Sequence, residues 1–80
     1  GKADGIRATM AHYGLSPEET MAFGDGENDL TMMALVGTSV AMGGADQRVK
    51  ELADYVTDTV EEEGISQALR HFGLLPKESV

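Results

Sequence analysis

A parallel α/β sheet is what this chain predicts, and three observations lead there. Short apolar segments at Thr20–Phe23, Thr38–Met42 and Tyr55–Thr57 alternate with stretches of helical spacing. The connections between them are short, which suits strands joined by crossover helices. The first strand empties into an acidic, glycine-flanked turn, and open parallel sheets carry their ligands at such strand tips. Three strands in 80 residues make half of a doubly wound domain rather than a whole one.

The elements follow in order. Residues Asp4 to Tyr13 read as a helix, with Ile6, Met10 and Tyr13 on one stripe and Gly14 placed to end it. Ser16-Pro17-Glu18-Glu19 has a serine N-cap, proline at the first helical position and glutamate at the third, the signature of a short capped turn. Thr20–Phe23 is apolar almost throughout, as a strand covered on both faces would be. Leu30, Met33 and Ala34, with Val36 nearby, make a second helix ended by Gly37. A second strand at Thr38–Met42 closes at Gly43-Gly44. A third helix from Ala45 to Leu52 or Ala53 should turn Val49 and Leu52 inward. Tyr55–Thr57 is a brief third strand, Asp58–Glu63 an acidic loop, and Ile65–Phe72 a last helix stopped by Gly73 and Pro76.

Two helix ends look alike: His12-Tyr13-Gly14-Leu15 with Pro17, and His71-Phe72-Gly73-Leu74 with Pro76. Nothing between them matches, so this is one way of stopping a helix used twice, not a repeat architecture. It gives both histidines a structural place, a cation in the last turn.

Composition narrows the function. Six basic against fourteen acidic residues give a formal net charge of −8, which argues against nucleic acid. No apolar run is long enough for a membrane span, and no cysteine is present for a disulfide or thiolate site, so the expectation is a cytoplasmic chain. Most of the carboxylates read as solvated surface.

The exception is Phe23-Gly24-Asp25-Gly26-Glu27-Asn28-Asp29. A hard cation such as Mg²⁺ takes one or two carboxylates and fills its octahedron with water and phosphate. Asp25, leaving the strand tip, is the first candidate ligand. Asp29 can orient Asp25 or a metal-bound water, or simply cap the helix. The Asn28 amide can donate to a phosphate oxygen or a neighbouring carboxylate. Gly24 and Gly26 are expected to allow close approach and positive φ. An EF-hand is excluded, because Leu30 stands where its glycine belongs and Val36 where its glutamate belongs. An ordinary polar turn is the competing reading. Met42-Gly43-Gly44-Ala45 offers either an anion nest or a plain turn, and the five methionines read as core fillers.

The run from Phe23 to Met33 resembles the fourth sequence motif of the haloacid dehalogenase superfamily. Val40–Ala45, Val49-Lys50, Ala53–Thr57 and Glu63–Ile65 are similar to the Cof-like branch of sugar-phosphate phosphatases. Lys2-Ala3-Asp4-Gly5-Ile6 resembles that branch's third motif, with Lys2 as its lysine. The resemblance implies a Rossmann-like core and a Mg²⁺-dependent phosphatase working through an aspartyl-phosphate on phosphorylated small metabolites. It implies Asp25 and Asp29 at the metal, Asn28 in the hydrogen bonds around phosphate, and Lys2 neutralising the nucleophile and the phosphoryl group. The family's Asp-x-Asp does not occur in this chain, nor do its second motif and cap domain. The expectation is therefore the C-terminal piece of a larger enzyme, inactive alone, completed by the rest of the core and the cap. The alternative is a noncatalytic α/β module with an acidic cation-binding loop.

Overall fold

The computed structural model describes residues 2–75, leaving aside the side chains of Lys2 and Ala3. Its elements are α1 (Lys2–Tyr13), β1 (Met21–Gly24), α2 (Leu30–Leu35), β2 (Thr38–Ala41), α3 (Gln47–Leu52), β3 (Tyr55–Val56) and α4 (Gly64–His71). The strands form one parallel sheet in the order β1-β2-β3, with Met21 opposite Thr38, Gly24 opposite Ala41 and Val40 opposite Tyr55. The expected half of a doubly wound sheet is thus present, and β1 and β3 are its edges.

Local chemistry sets the bounds. α1 and α4 end alike, as the sequence suggests: Gly14 (φ 67°) and Gly73 (φ 77°) are left-handed. Leu15 N–H reaches back to the Met10 carbonyl (2.8 Å), and Leu74 N–H to that of Leu69 (2.7 Å). These are Schellman closures, which satisfy the last carbonyls. Pro76, expected to help stop α4, lies outside the described residues. His71 stacks on Tyr55 with ring centroids 4.0 Å apart, so the last turn of α4 seats on β3.

Some expectations shift. α1 begins at Lys2, two residues early. β1 begins at Met21 and takes in Gly24, because Thr20 belongs to the preceding 3-10 turn (Pro17–Glu19), where its hydroxyl donates to the Pro17 carbonyl (2.6 Å). α3 begins only at Gln47, since Ala45 N–H closes a turn onto the Met42 carbonyl (2.9 Å) and Asp46 N–H goes to the Asp25 carbonyl. β2 ends at Ala41 and β3 at Val56. Ala34 is exposed, and Leu52, expected to face inward, is 44% exposed at the C-terminal end of α3.

The core lies under α2 and α3. Val40, Ala41 and Val49 are fully inaccessible, and Met33 is 2% exposed. Leu30, Met32 and Ala53 pack around the cluster of Met33, Ala41, Ala45 and Val49. At the lower end of the sheet the Asp54 carboxylate accepts the Ser39 N–H (2.8 Å) and hydroxyl (3.2 Å), fixing the turn into β3 against β2.

Candidate functional site

Three loops leave the carboxyl ends of the strands side by side: Asp25–Asp29 after β1, Met42–Asp46 after β2 and Thr57–Glu63 after β3. Backbone hydrogen bonds stitch them together. Met42 N–H donates to the Gly24 carbonyl (3.0 Å), Asp46 N–H to the Asp25 carbonyl (3.0 Å) and Gly43 N–H to the Asp58 carbonyl (3.2 Å). The third loop is closed by the buried Thr57 hydroxyl, which donates to the Gly64 carbonyl (2.7 Å). Gly64 is packed so tightly that a Cβ there would overlap the Asp58 carbonyl. Glu63 just before it takes a left-handed backbone (φ 60°), which no sequence signal announced.

Within the first loop, Gly24 lies where a Cβ would overlap the Met33 sulfur, so what comes close there is the chain's own α2 side chain, and its φ is not the positive one expected. Gly26 also departs from expectation. Its φ is −124°, extended rather than left-handed, because the loop turns through a 3-10 segment, Glu27–Asp29, before α2. The Asn28 amide oxygen folds back toward Gly26, 3.0 Å from where a Cβ would stand.

The two aspartates occupy different places. Asp29 is 6% exposed, and its Oδ2 accepts the N–H groups of Asp25 (3.1 Å) and Gly26 (3.3 Å). It braces the neck of the loop from inside. Asp25 is exposed, and among the described residues no hydrogen bond or ion pair engages its carboxylate. Asn28 and Glu27 are exposed, and Glu27 pairs with Arg48 on α3. That pairing was not legible beforehand, because 21 residues separate the partners and no periodic pattern joins them. Lys2 opens α1, but its side chain lies outside what the structure describes.

Asp25, Met42, Gly44, Thr59, Val60 and Glu61 enclose a hollow of about 150 Å³ over the strand tips. The anion nest considered for Met42–Ala45 is not formed. The N–H groups of Gly43, Ala45 and Asp46 all donate to backbone carbonyls, so the segment is a strand-to-helix turn.

Among the described residues no three His, Cys, Asp or Glu side chains gather closely enough to cage an ion. One outward carboxylate braced by a buried one is nevertheless a donor set that fits Mg²⁺, which asks few ligands of a protein.

Comparison with known proteins identifies the fold and the family. The profile of the haloacid dehalogenase-like hydrolases matches residues 1–69. A protein from the pdhA 5′ region of Geobacillus stearothermophilus is 48% identical over 75 residues, covering 94% of this chain and 79% of that protein. The 5-amino-6-(5-phospho-D-ribitylamino)uracil phosphatase YcsE of Bacillus subtilis is 44% identical over 73 residues, 91% of this chain but 29% of the enzyme. Among solved structures, the subclass IIB sugar phosphatase BT4131 superposes with a TM-score of 0.88 at 49% identity, over 92% of this chain and 28% of that one. The chain thus spans under a third of the named phosphatases it resembles, and its fold is the one they share over that span. It belongs to the haloacid dehalogenase-like hydrolases.

Proposed function

We propose that this chain is the C-terminal part of the core of a Mg²⁺-dependent phosphatase that hydrolyses phosphate monoesters, sugar phosphates among them, in the cytoplasm. The observation that carries the reading is the division of labour between Asp25 and Asp29. One carboxylate is turned out at a strand tip, and the other is spent on holding the backbone that presents it. Mg²⁺ at Asp25 would neutralise charge on a transferring phosphoryl group. Asp29 acts behind Asp25, by fixing the loop and the shell of water or lysine around the ion. Asn28 donates its amide to phosphate oxygen, and Lys2, as the resemblance implies, balances the negative charge of nucleophile and substrate. The attacking aspartate, the second motif and the cap that selects the ester are supplied by residues other than these 80.

Two observations support an incomplete core. The outer edge of β1 has no strand partner among the described residues. Beside it an apolar groove of about 620 Å³ runs between α1 and β1, lined by Ile6, Met10, Met21, Phe23 and Met32. The test is a steady-state assay with Mg²⁺ and sugar phosphates on the full-length protein and on the 80-residue chain. Turnover by the first alone is the expected result. Robust turnover by the short chain, abolished in Asp25→Ala, would refute the partial-core reading, and a full-length protein that binds Mg²⁺ without turnover would point to the noncatalytic module.

A further inference from the structure

The loop after β3 closes on itself and reaches the hollow that Asp25 lines. Glu62 N–H donates to the Thr59 carbonyl (3.1 Å), Glu63 N–H to that of Val60 (3.0 Å) and Gly64 N–H again to Thr59 (2.8 Å). On the neighbouring turn Gly43 has no room for a Cβ, which would stand 2.9 Å from the Asp58 carbonyl carbon and the Thr59 nitrogen. The loop is thus fixed in shape, and it presents Thr59, Val60 and Glu61 to the hollow that Asp25, Met42 and Gly44 complete. Two carboxylates and no cation line it among the described residues. Asp25 has a use in the phosphatase reading, and Glu61 has none. We propose that Glu61 is a specificity-determining residue, through which the core admits the uncharged polyol end of a phosphate ester and turns away an end that bears a carboxylate. The inference rests on the reading of Asp25 as the place where phosphate is handled.

An ionised carboxylate only accepts hydrogen bonds, and the hydroxyls of a polyol supply them. A carboxylate on the leaving group brings a like charge instead, into a cleft whose walls focus the field. The loop offers nothing to offset it. Asp58, Glu62 and Glu63 are exposed beside Glu61, and no lysine or arginine stands between Lys50 and Arg70. A cation at Asp25 would balance Asp25 and the phosphoryl group and leave Glu61 uncompensated. The core thereby shares in the choice of ester otherwise left to the cap. Glu61 is exposed, so water and salt screen it, and the expected effect is about two- to fivefold.

The experiment compares kcat/KM of the full-length protein on glycerol 3-phosphate and on 3-phosphoglycerate, which differ by a hydroxymethyl against a carboxylate. The wild type should prefer the glycerol ester. Glu61→Gln keeps size and an acceptor, and should cut the preference by about two- to fivefold, chiefly by speeding 3-phosphoglycerate. Glu61→Lys should go further, and about 1 M salt should bring the wild type toward Glu61→Gln. Glu62→Gln, next along the loop but outside the hollow, should leave the preference unchanged. At Gly44 a Cβ meets nothing within 4 Å, so Gly44→Ala narrows the hollow without strain and should shift both esters alike. A preference unmoved by Glu61→Gln, or moved equally by Glu62→Gln, would overturn the proposal. A full-length protein that hydrolyses no phosphate ester would overturn the phosphatase reading itself, and the absence of turnover tells that failure from the other.

Discussion

Around α2 and α3 the chain is closed, whereas between α1 and β1 it is open. In the first region Val40, Ala41 and Val49 are sealed from solvent and Met33 fills the space between helix and sheet. In the second, Ile6, Met10, Met21 and Phe23 are only half-buried, along the groove between α1 and β1. The hydrophobic stripes that face the two regions read alike in the sequence. What differs is whether a second apolar surface arrives to meet them. The closed region carries the Asp25 loop, so the loop is held by packing within this chain, while the open region leaves an apolar groove that no other described element covers.

Substitutions can sharpen that contrast. The largest effect is expected at the closed side: Met33→Ala should lower unfolding free energy by about 2–5 kcal/mol in urea denaturation, since it leaves a cavity under α2. Asp29→Ala comes next, at about 1–3 kcal/mol, because the Asp25 and Gly26 N–H groups lose their acceptor, and cation affinity should fall with it. Met10→Ala in the groove should change stability by less than about 1 kcal/mol in the 80-residue chain, rising well above that in a full-length protein whose core covers it. Equal costs in both contexts would break the comparison. The smallest effect belongs to Asp25→Asn, within about 0.5 kcal/mol by thermal melting, although calorimetry should show Mg²⁺ binding lost.

Much of this was legible in the sequence. All seven regular elements were placed from apolar spacing and glycine stops, and the two left-handed glycines that close α1 and α4 announced themselves by position. The Asp25 loop was recognisable because a strand, an acidic turn and a helix in succession leave few other uses for those residues. What was not legible came from tertiary partners. Leu52 and Ala34 satisfy a helical period but point outward, because helices of six residues offer the sheet barely two turns. The Asp54 carboxylate looked like solvated surface until Ser39, 15 residues earlier, proved to lie beneath it. Glu63 takes a backbone that glycine would take more readily, and it is the tight seat of Gly64 on Asp58 that requires this.

The outer edge of β1 bears on how such a chain behaves in solution. Among the described residues, Met21, Ala22, Phe23 and Gly24 bond to β2 on one side only, and the strand itself carries neither a charge nor a proline to blunt the other side. A bare apolar edge of this kind accepts any extended segment that reaches it, a second copy included. Crowding at high protein concentration therefore favours self-association of the isolated chain. A strand tethered in the same polypeptide meets the edge at an effective concentration in the millimolar range, which stray copies do not approach. A covering strand in the same polypeptide would protect such an edge against aggregation as well as extend the sheet.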